Sequence, residues 1–277
     1  MVGDTKDLAT ASLDFPELQP FVAEPQRSAL LFDVDGTLAP IVRDPAASAV
    51  PGSIRDLLDG LRRRYALVAC ISGRRALDAR RIVGLDSITY VGNHGLEVLA
   101  PGASEAATDP ALGPMAADVR EFAQNAYDSG LVALGARLED KHVIWAFHWR
   151  GAPDETATRA ALGDVAAEAE RRGLIAHWGR KVLEIRPPVP TDKGTAVSAA
   201  LDGVPLGRAL YAGDDTTDLD AFRKLHELEA DGRLDALCVG VRSSEGPEAL
   251  EREADLLVDG TEGVAELLRA LGKAGST

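Results

Sequence analysis

Short apolar runs that stop abruptly at polar residues recur towards both ends of this 277-residue chain. The first run, Ala29–Phe32, ends at Asp33, and a helical-period stripe over 54–61, with Ser53 as its expected N-cap, follows it. Such runs favour strands that are buried on both faces, as in a parallel sheet covered by helices. The sequence therefore predicts an α/β fold. Its expected strands are Ala29–Phe32, Tyr65–Ile71, Ile88–Val91, Leu96–Leu99, Arg208–Ala212, Ala236–Val241 and Asp255–Val258.

The pattern changes near Pro101. Over about 104–187, a helical stripe followed by two strand-like segments occurs twice, which indicates an α+β unit with a small antiparallel sheet. A proline-rich connection at Pro187–Pro190 ends this unit, and the parallel-sheet rhythm then resumes. We predict an irregular lead-in (1–26), a discontinuous core (27–103 and 188–277) and an insert (104–187). The strand-like segments of the insert are Leu131–Glu139, His142–Arg150, Leu174–Trp178 and Lys181–Arg186.

Composition limits the partners and the compartment. The formal net charge of −14 opposes nucleic acid or an anionic membrane as the main partner, so a phosphorylated substrate would need a local positive pocket. Cys70 and Cys238 lie in apolar runs, which predicts buried reduced thiols. Neither a membrane-spanning stretch nor a secretory signal is visible, so the cytoplasm is the simplest expected location. The oligomeric state stays open.

Two carboxylates end the first strand. Asp33 and Asp35 are two residues apart, so an extended chain places both side chains on one side, where they can converge on one ion or one reacting group. Ligands of open α/β sheets bind at the carboxyl ends of strands, and paired acids there are unfavourable without a cation. A plain strand followed by an Asp-Gly turn at Gly36 is the alternative.

Three later segments supply complementary chemistry. Gly213–Asp218 contains three acids directly after a strand, which suits a hard cation such as Mg²⁺, although an acidic helix N-terminus gives the same pattern. In Cys70–Arg74, a hydroxyl and free N–H groups at a strand end can hold phosphoryl oxygens. Asp192–Gly194 begins a helix with a lysine that would offset negative charge. Taken singly, a Ser-Gly turn and a solvated lysine are common.

Together, four segments resemble, in order, the four motifs of the haloacid dehalogenase-like phosphatases: Asp33–Leu38, Cys70–Arg74, Asp192–Gly194 and Gly213–Asp218. The D-V-D-G-T-L-A-P form of the first, G-N-H-G at Gly92–Gly95 and G-D-D-T-T-D are similar to those of trehalose-6-phosphate phosphatases. The resemblance covers roughly residues 29–260. It implies a Rossmann-like core with an αββαββ cap at the insert, Mg²⁺ as cofactor, and hydrolysis of trehalose 6-phosphate through an aspartyl-phosphate.

The resemblance also implies the roles of individual residues. Asp33 would attack phosphorus, and Asp35 would protonate the leaving sugar oxygen and then activate water. Asp214 would bind the metal directly, together with the main-chain carbonyl of Asp35. Asp218, and in some arrangements Asp215, would act through water or position Lys193. The expected catalytic residues are Asp33, Asp35, Ser72 and Lys193, and the expected metal residues are Asp33, Asp35, Asp214 and Asp218.

Sugar recognition is expected from the cap, where three patterns resemble the family: E-x-K at Glu139–Lys141, H-x-R at His148–Arg150, and Glu184 just before Arg186-Pro187. Alternation puts His148 and Arg150 on a polar strand face, although surface salt bridging would give the same pattern. Trp149 replaces a more usual Tyr, and D-L-D-A-F replaces D-E-D-A-F, which removes one acid near the metal loop. The expected substrate contacts are Ser72, Gly73, Arg74, Asn93, His94, Glu139, Lys141, His148, Arg150 and Glu184.

Other functions compete with this interpretation. A related phosphatase could act on sucrose phosphate or a glycosyl-phosphoglycerate, and a phosphomutase would return the phosphoryl group to a second hydroxyl. A non-catalytic sugar-phosphate-binding regulator is the alternative outside enzymes. It is disfavoured because binding alone would not require Asp35 beside Asp33. We therefore predict a Mg²⁺-dependent trehalose-6-phosphate phosphatase.

Overall fold

The computed structural model of this protein describes residues 15–42, 47–243 and 246–273. Within these ranges the strands form two separate sheets. The strands are β1 (Ser28–Asp33), β2 (Leu67–Ile71), β3 (Thr89–Gly92), β4 (Glu97–Leu99), β5 (Arg137–Lys141), β6 (Ile144–His148), β7 (Ile175–Gly179), β8 (Val182–Arg186), β9 (Arg208–Gly213), β10 (Asp235–Arg242) and β11 (Leu256–Asp259). The α-helices are α1 (Gln19–Ala23), α2 (Gly52–Arg62), α3 (Ala76–Val83), α4 (Leu112–Ala126), α5 (Ser129–Ala133), α6 (Glu155–Arg171), α7 (Lys193–Leu201), α8 (Asp218–Ala230), α9 (Glu248–Glu253) and α10 (Gly260–Leu271).

The larger sheet has the strand order β11-β10-β9-β1-β2-β3-β4. Its neighbours pair in parallel except β3 and β4. The chain runs from β1 outward through β2 and β3, and later from β9 outward through β10 and β11, so the order reverses between β1 and β9. Open α/β sheets form their ligand crevice at such a reversal, at the carboxyl ends of the strands. This architecture confirms the predicted α/β class.

Strand β1 is buried on both faces, which explains its uninterrupted apolar sequence. Leu30 and Phe32 pack with residues of α2, α3 and α10 on one side of the sheet. Ala29 and Leu31 pack with residues of α7 and α8 on the other side. Helices on both faces therefore fix β1 in the centre of the core and hold Asp33 at its carboxyl end.

Local differences from the sequence patterns occur where short helices form. The lead-in was predicted to be irregular, but its described part has three short helical turns between Pro16 and Arg27, begun by prolines and anchored by buried Leu18 and Phe21. Residues 1–14 lie outside the described residues. The predicted cap at Ser53 is wrong, because α2 begins at Gly52 without a side-chain cap.

The smaller sheet has the order β5-β6-β8-β7, and all its neighbours are antiparallel. Residues of α4 and α6 cover one face of it, where Trp145, Phe147 and Leu183 are buried. The predicted strand Leu131–Glu139 is wrong in its first half. Asp128 accepts a hydrogen bond from the Leu131 N–H there and begins helix α5, so this region has one helix more than αββαββ. The domain boundaries at residues 104 and 187 remain a prediction.

The cap lies against the core at the end of β3. Leu96 of the core packs with Leu112, Val143 and Ile144 of the cap. These apolar contacts hold the uncovered face of the small sheet towards the crevice of the large one. None of the helices in the described ranges combines the length and apolar character that crossing a bilayer requires.

Candidate active site

A buried lysine joins two aspartates at the carboxyl end of β1. Lys193 lies in the first turn of α7, and its Nζ is 2.5 Å from Asp33 Oδ1 and 2.6 Å from Asp218 Oδ1. Burial opposes the charge on Lys193, but Asp218 and Asp33 outweigh it and raise its pKa above the ordinary value. The lysine is therefore held as a cation, as its predicted role requires.

The carboxylate of Asp218 is fully occupied by protein donors. One oxygen accepts the lysine bond and a 2.5 Å bond from the Tyr211 hydroxyl, and the other accepts the N–H groups of Asp214 (3.0 Å) and Asp215 (2.8 Å). Its oxygens lie within 4.8 Å of those of Asp33 and Asp214, as in a metal site. Protein donors already use both of these oxygens. The geometry therefore favours the positioning role predicted for Asp218 over direct metal ligation.

Asp33 and Asp214 retain the oxygens that a metal would need. Asp33 Oδ1 binds Lys193 and Asp214 Oδ1 accepts a 3.2 Å bond from Thr37, whereas the second oxygen of each has no protein donor within the described ranges. Burial first, and then Asp218, raises the pKa of Asp214 to about 7, and burial raises that of Asp33 well above its ordinary value. Two buried carboxylates with free hard oxygens fit a divalent cation such as Mg²⁺.

The second aspartate of the first motif is paired with an arginine. Arg74 Nε lies 2.6 Å from Asp35 Oδ2, Arg74 Nη2 lies 2.8 Å from Oδ1, and the Ser48 hydroxyl donates to Oδ1 at 3.1 Å. The N–H of Arg74 in turn donates to Ser72 Oγ at 3.1 Å. This two-pronged ion pair fixes the orientation of Asp35. It also explains why Arg74 belongs to the site.

A histidine ring covers the backbone after β2. A Cβ atom on Gly73 would lie 2.7 Å from the His94 ring, so only glycine allows this contact. The His94 ring is also 3.9 Å from Glu184 of the cap. Burial first, and then Arg186, lowers the pKa of His94 to about 3, so the ring is neutral near pH 7. A neutral ring beside buried Ser72 can donate one hydrogen bond and accept another.

Asn93 was predicted to contact substrate, but its side chain lies in the contact between core and cap. It is fully buried, and its amide nitrogen donates to Glu97 Oε1 and to the main-chain oxygen of Lys141, both at 2.8 Å. Glu97 in turn accepts a 3.0 Å bond from the Ala76 N–H. Asn93 therefore ties the core to the cap instead of contacting substrate. Its φ of 48° is a conformation that Asn tolerates better than most residues.

Glu184 is the centre of the charged cluster in the cap. Its oxygens lie 2.7 Å from Lys141 Nζ and 2.6 Å from Arg186 Nη2. Burial alone would raise its pKa, but Lys141, Arg186 and His94 outweigh burial and lower it to about 2. Glu184 is therefore ionised at neutral pH and holds the Lys141 side chain in place.

Two cavities follow one another between core and cap. The smaller, about 240 Å³, is lined by nine of the predicted site residues together with Asp215 and Thr217, and the larger, about 830 Å³, shares four lining residues with it. The shared residues are Asp35, Arg74, Asp215 and Thr217. Because the cavities share a wall, one elongated ligand can occupy both. The predicted residues that line the smaller cavity include all four predicted catalytic residues; they are Asp33, Asp35, Ser72, Gly73, Arg74, His94, Lys141, Glu184 and Lys193.

Only some of the residues in the E-x-K and H-x-R patterns of the cap line the cavities. Glu139 and His148 bind each other, with the His148 Nε2 atom 2.6 Å from Glu139 Oε2, and neither lines the two cavities. Arg150 lines the larger cavity. The hydrogen bond to His148 lowers the pKa of Glu139. The structure therefore brings Arg150 to the cavity and leaves the Glu139–His148 pair beside it.

Several residues at the site were not predicted from the sequence. Tyr211 lies inside an apolar strand, and Thr37 and Ser48 lie in the segments after β1, where single polar residues are unremarkable. Arg186 stood in the quoted Glu-Ile-Arg-Pro pattern, but only the structure shows that it neutralises Glu184. His177 lines the larger cavity from β7. Strand alternation around it is the signal that could have identified it.

Comparison with known proteins assigns this chain to a family. The model of the trehalose-phosphatase family matches residues 31–252, a range that runs from β1 into α9. The chain belongs to the trehalose-phosphatase family. The family assignment confirms the resemblance that the four motifs carry.

Individual members of the family match most of this chain. The chain is 37% identical over 211 residues to the trehalose-phosphate phosphatase of Mycobacterium marinum, and 38% identical over 213 residues to that of Mycobacterium tuberculosis. Each alignment covers 71% of this chain and 51% of the relative, so the chain spans about half the length of the curated relatives it matches. The C-terminal domain of the C. albicans trehalose-6-phosphate phosphatase has a TM-score of 0.72 at 25% identity, covering 94% of this chain and 98% of that domain.

Proposed function

We propose that this protein hydrolyses trehalose 6-phosphate to trehalose and phosphate. The observation that carries the proposal is the buried Asp33–Lys193–Asp218 chain at the end of β1, with Asp214 beside it and cap residues facing it. This arrangement supplies a nucleophile, a fixed cation and free carboxylate oxygens at the carboxyl end of β1. Membership of the trehalose-phosphatase family supports the choice of sugar.

In the proposed reaction, a carboxylate oxygen of Asp33 attacks phosphorus while the bond to the sugar oxygen breaks. Asp35 begins the reaction protonated, which requires its ion pair with Arg74 to open, and it gives that proton to the departing oxygen, so trehalose leaves as a neutral alcohol. Asp35 then takes a proton from a water molecule that attacks the phosphoryl group on Asp33. Phosphate leaves and the Asp33 carboxylate is restored, which balances both protons.

The surrounding residues stabilise charge during both steps. Lys193 lies between Asp33 and Asp218, where it offsets the negative charge that builds on the phosphoryl oxygens. Ser72 and the backbone at Gly73 can donate to those oxygens from the end of β2. Arg74 orients Asp35 when this residue is ionised, as it is in the second step. Preorganised groups of this kind need no rearrangement as the charge develops.

We propose Mg²⁺ as the cofactor, held by Asp33, Asp214 and the main-chain oxygen of Asp35. A bound Mg²⁺ would polarise the phosphoryl oxygens and neutralise part of the dianion's charge. Asp218 would act indirectly, since its oxygens hold Lys193 and the loop that carries Asp214. The raised pKa values of Asp33 and Asp214 support a cation at this point, because burial alone disfavours both carboxylates.

A panel of phosphate esters tests the proposal. Phosphate release should be fastest with trehalose 6-phosphate and clearly slower with sucrose 6-phosphate, a glycosyl-phosphoglycerate and glucose 6-phosphate. Preference for another ester would mean that the substrate is different but that the type of reaction is the one proposed. Transfer of the phosphoryl group to a second sugar hydroxyl would indicate a mutase, and binding without turnover would indicate a regulator.

A further inference from the structure

His177 lies on the face of the cap sheet that is turned towards the core. In the strand register, Glu139 pairs with Ala146, Ala146 with Glu184 and Glu184 with His177, so these residues form one row across the sheet. Directly opposite residues in a sheet project to the same side. Glu184 of this row reaches the core at His94. The imidazole of His177 therefore belongs to the cavity side of the sheet.

The neighbouring Trp178 belongs to the opposite side. Its ring packs at 5.6 Å against Trp149, and the Arg159 guanidinium lies 5.2 Å over it. It pairs with Leu183, which is buried among the residues that face α4 and α6. Trp178 and Gly179 of β7 also line the 830 Å³ cavity, and His177 lines it from the open face of the sheet.

The imidazole of His177 differs from the other polar side chains of its row in having no hydrogen bond or ion pair within the described ranges. Glu139 is bound to His148, and Glu184 to Lys141 and Arg186. Burial first, and then Arg186, lowers the pKa of His177, so the ring is neutral near pH 7. A neutral imidazole offers one donor and one acceptor, which suits a sugar hydroxyl.

The position of His177 relative to the reaction decides which part of a substrate it could meet. The phosphoryl group belongs to the 240 Å³ cavity, where Asp33 and Lys193 lie. His177 lines only the larger cavity, which continues from the smaller through shared residues and falls in the range of about 300–1,000 Å³ typical of small-molecule sites. A side chain that lines only the larger cavity is placed to meet the part of an elongated ligand that extends out of the smaller one.

We propose that His177 is a specificity-determining residue that hydrogen-bonds a hydroxyl of the sugar unit remote from the phosphate. The inference rests on the proposed function, because it requires a disaccharide phosphate as substrate. In this assignment the Glu139–His148 pair supports the structure of the cap, and His177 binds the second sugar ring. Recognition of a hydroxyl discriminates strongly when its absence leaves a site group unpaired.

The test compares three variants with three phosphate esters. His177→Phe keeps a planar ring but removes both hydrogen-bonding nitrogens, and His177→Asn keeps a donor and an acceptor. Ile175→Ala is the matched control, since Ile175 lies two residues earlier on the same strand and face, is 39% exposed and lines neither cavity. The esters are trehalose 6-phosphate, glucose 6-phosphate and p-nitrophenyl phosphate; glucose 6-phosphate is measured as substrate or as competitive inhibitor.

His177→Phe should lower kcat/KM for trehalose 6-phosphate by about tenfold, the size of one lost hydrogen bond, and leave the other two esters within about twofold. His177→Asn should recover part of the loss, and Ile175→Ala should change nothing. An equal loss on all three esters, or no loss with the disaccharide, overturns the assignment. If the wild-type protein prefers another disaccharide phosphate and His177→Phe loses that activity selectively, the proposed substrate fails while the role of His177 stands. Turnover of p-nitrophenyl phosphate without any disaccharide phosphate overturns both.

Discussion

A Cβ atom on Gly36 would lie 2.1 Å from Oδ2 of Asp214. The two residues belong to different motifs, at the ends of β1 and β9, which the sheet brings side by side. Gly36 also has a φ of 93°, a conformation that favours glycine. The glycine of the first motif is thus required by the carboxylate of the last one, whose free oxygen points at it.

Gly36→Ala should therefore displace Asp214 and lower kcat by about 100-fold, as expected for a misplacement near 1 Å. Gly102→Ala is the control, because Gly102 also has a positive φ of 74° but nothing lies within 4 Å of its Cβ position. The control should lose about 1 kcal/mol of stability and keep its activity. Steady-state kinetics and urea unfolding of both variants make the comparison. Equal activity of the two variants would contradict the role of the close contact.

Asp33→Asn should abolish turnover of every phosphate ester while the protein stays folded. The amide cannot attack phosphorus, although it can still accept a hydrogen bond from Lys193. Activity within about tenfold of wild type, a loss near 1.4 kcal/mol, would exclude Asp33 as the nucleophile.

Lys193→Met should destabilise the protein more than Asp33→Asn does. Removing the lysine leaves Asp33 and Asp218 buried without their cation, a loss of about 3–5 kcal/mol for a broken buried pair. Asp33→Asn removes one of two acids and leaves Lys193 paired with Asp218. Urea denaturation in EDTA measures both variants. Similar stabilities would mean that the lysine contributes little to the buried network.

The stability of the metal-free protein should depend on pH through the ionisation of Asp214. Its pKa is raised from 3.8 to about 7, so the folded state binds more protons than the unfolded state between these values. Stability in EDTA should therefore fall as pH rises through that window, and Asp214→Asn should flatten the slope.

Protons also compete with Mg²⁺ for Asp214, so the apparent affinity for Mg²⁺ should weaken below about pH 7, by up to tenfold per pH unit. Phosphate release should stop on chelation and return with Mg²⁺; full activity in metal-free protein would contradict the proposed site.

Substitutions in the cap should impair recognition of the sugar more than the chemical step. Glu184→Ala should reduce turnover of trehalose 6-phosphate far more than that of p-nitrophenyl phosphate, since it releases Lys141 from the cavity wall. Glu139→Ala and His148→Ala should show a smaller selective loss. Because these two residues bind each other, their double variant should lose little more than either single one. Additive effects in this cycle would show that each contacts the sugar separately.

Much of the site was predictable because its chemistry is local in sequence. Asp33 and Asp35 follow a strand that is apolar on both faces, and Gly213–Asp218 concentrates acids at the end of another. Once these strands are neighbours in a parallel sheet, their ends must meet, so the motifs predicted one catalytic centre. The α/β class followed from the same buried strands.

The tertiary structure decided which partner each polar side chain takes. Asp218 and Asp214 have the same charge and lie four residues apart, yet Tyr211 and backbone N–H groups occupy one and leave an oxygen of the other free. Asn93 became a tie between core and cap, and His177 gained a place on the cavity wall through pairing with Glu184. Sequence spacing fixes the side of a strand that a residue occupies. Contacts between distant segments decide what it meets there, because they depend on how the sheets and helices pack.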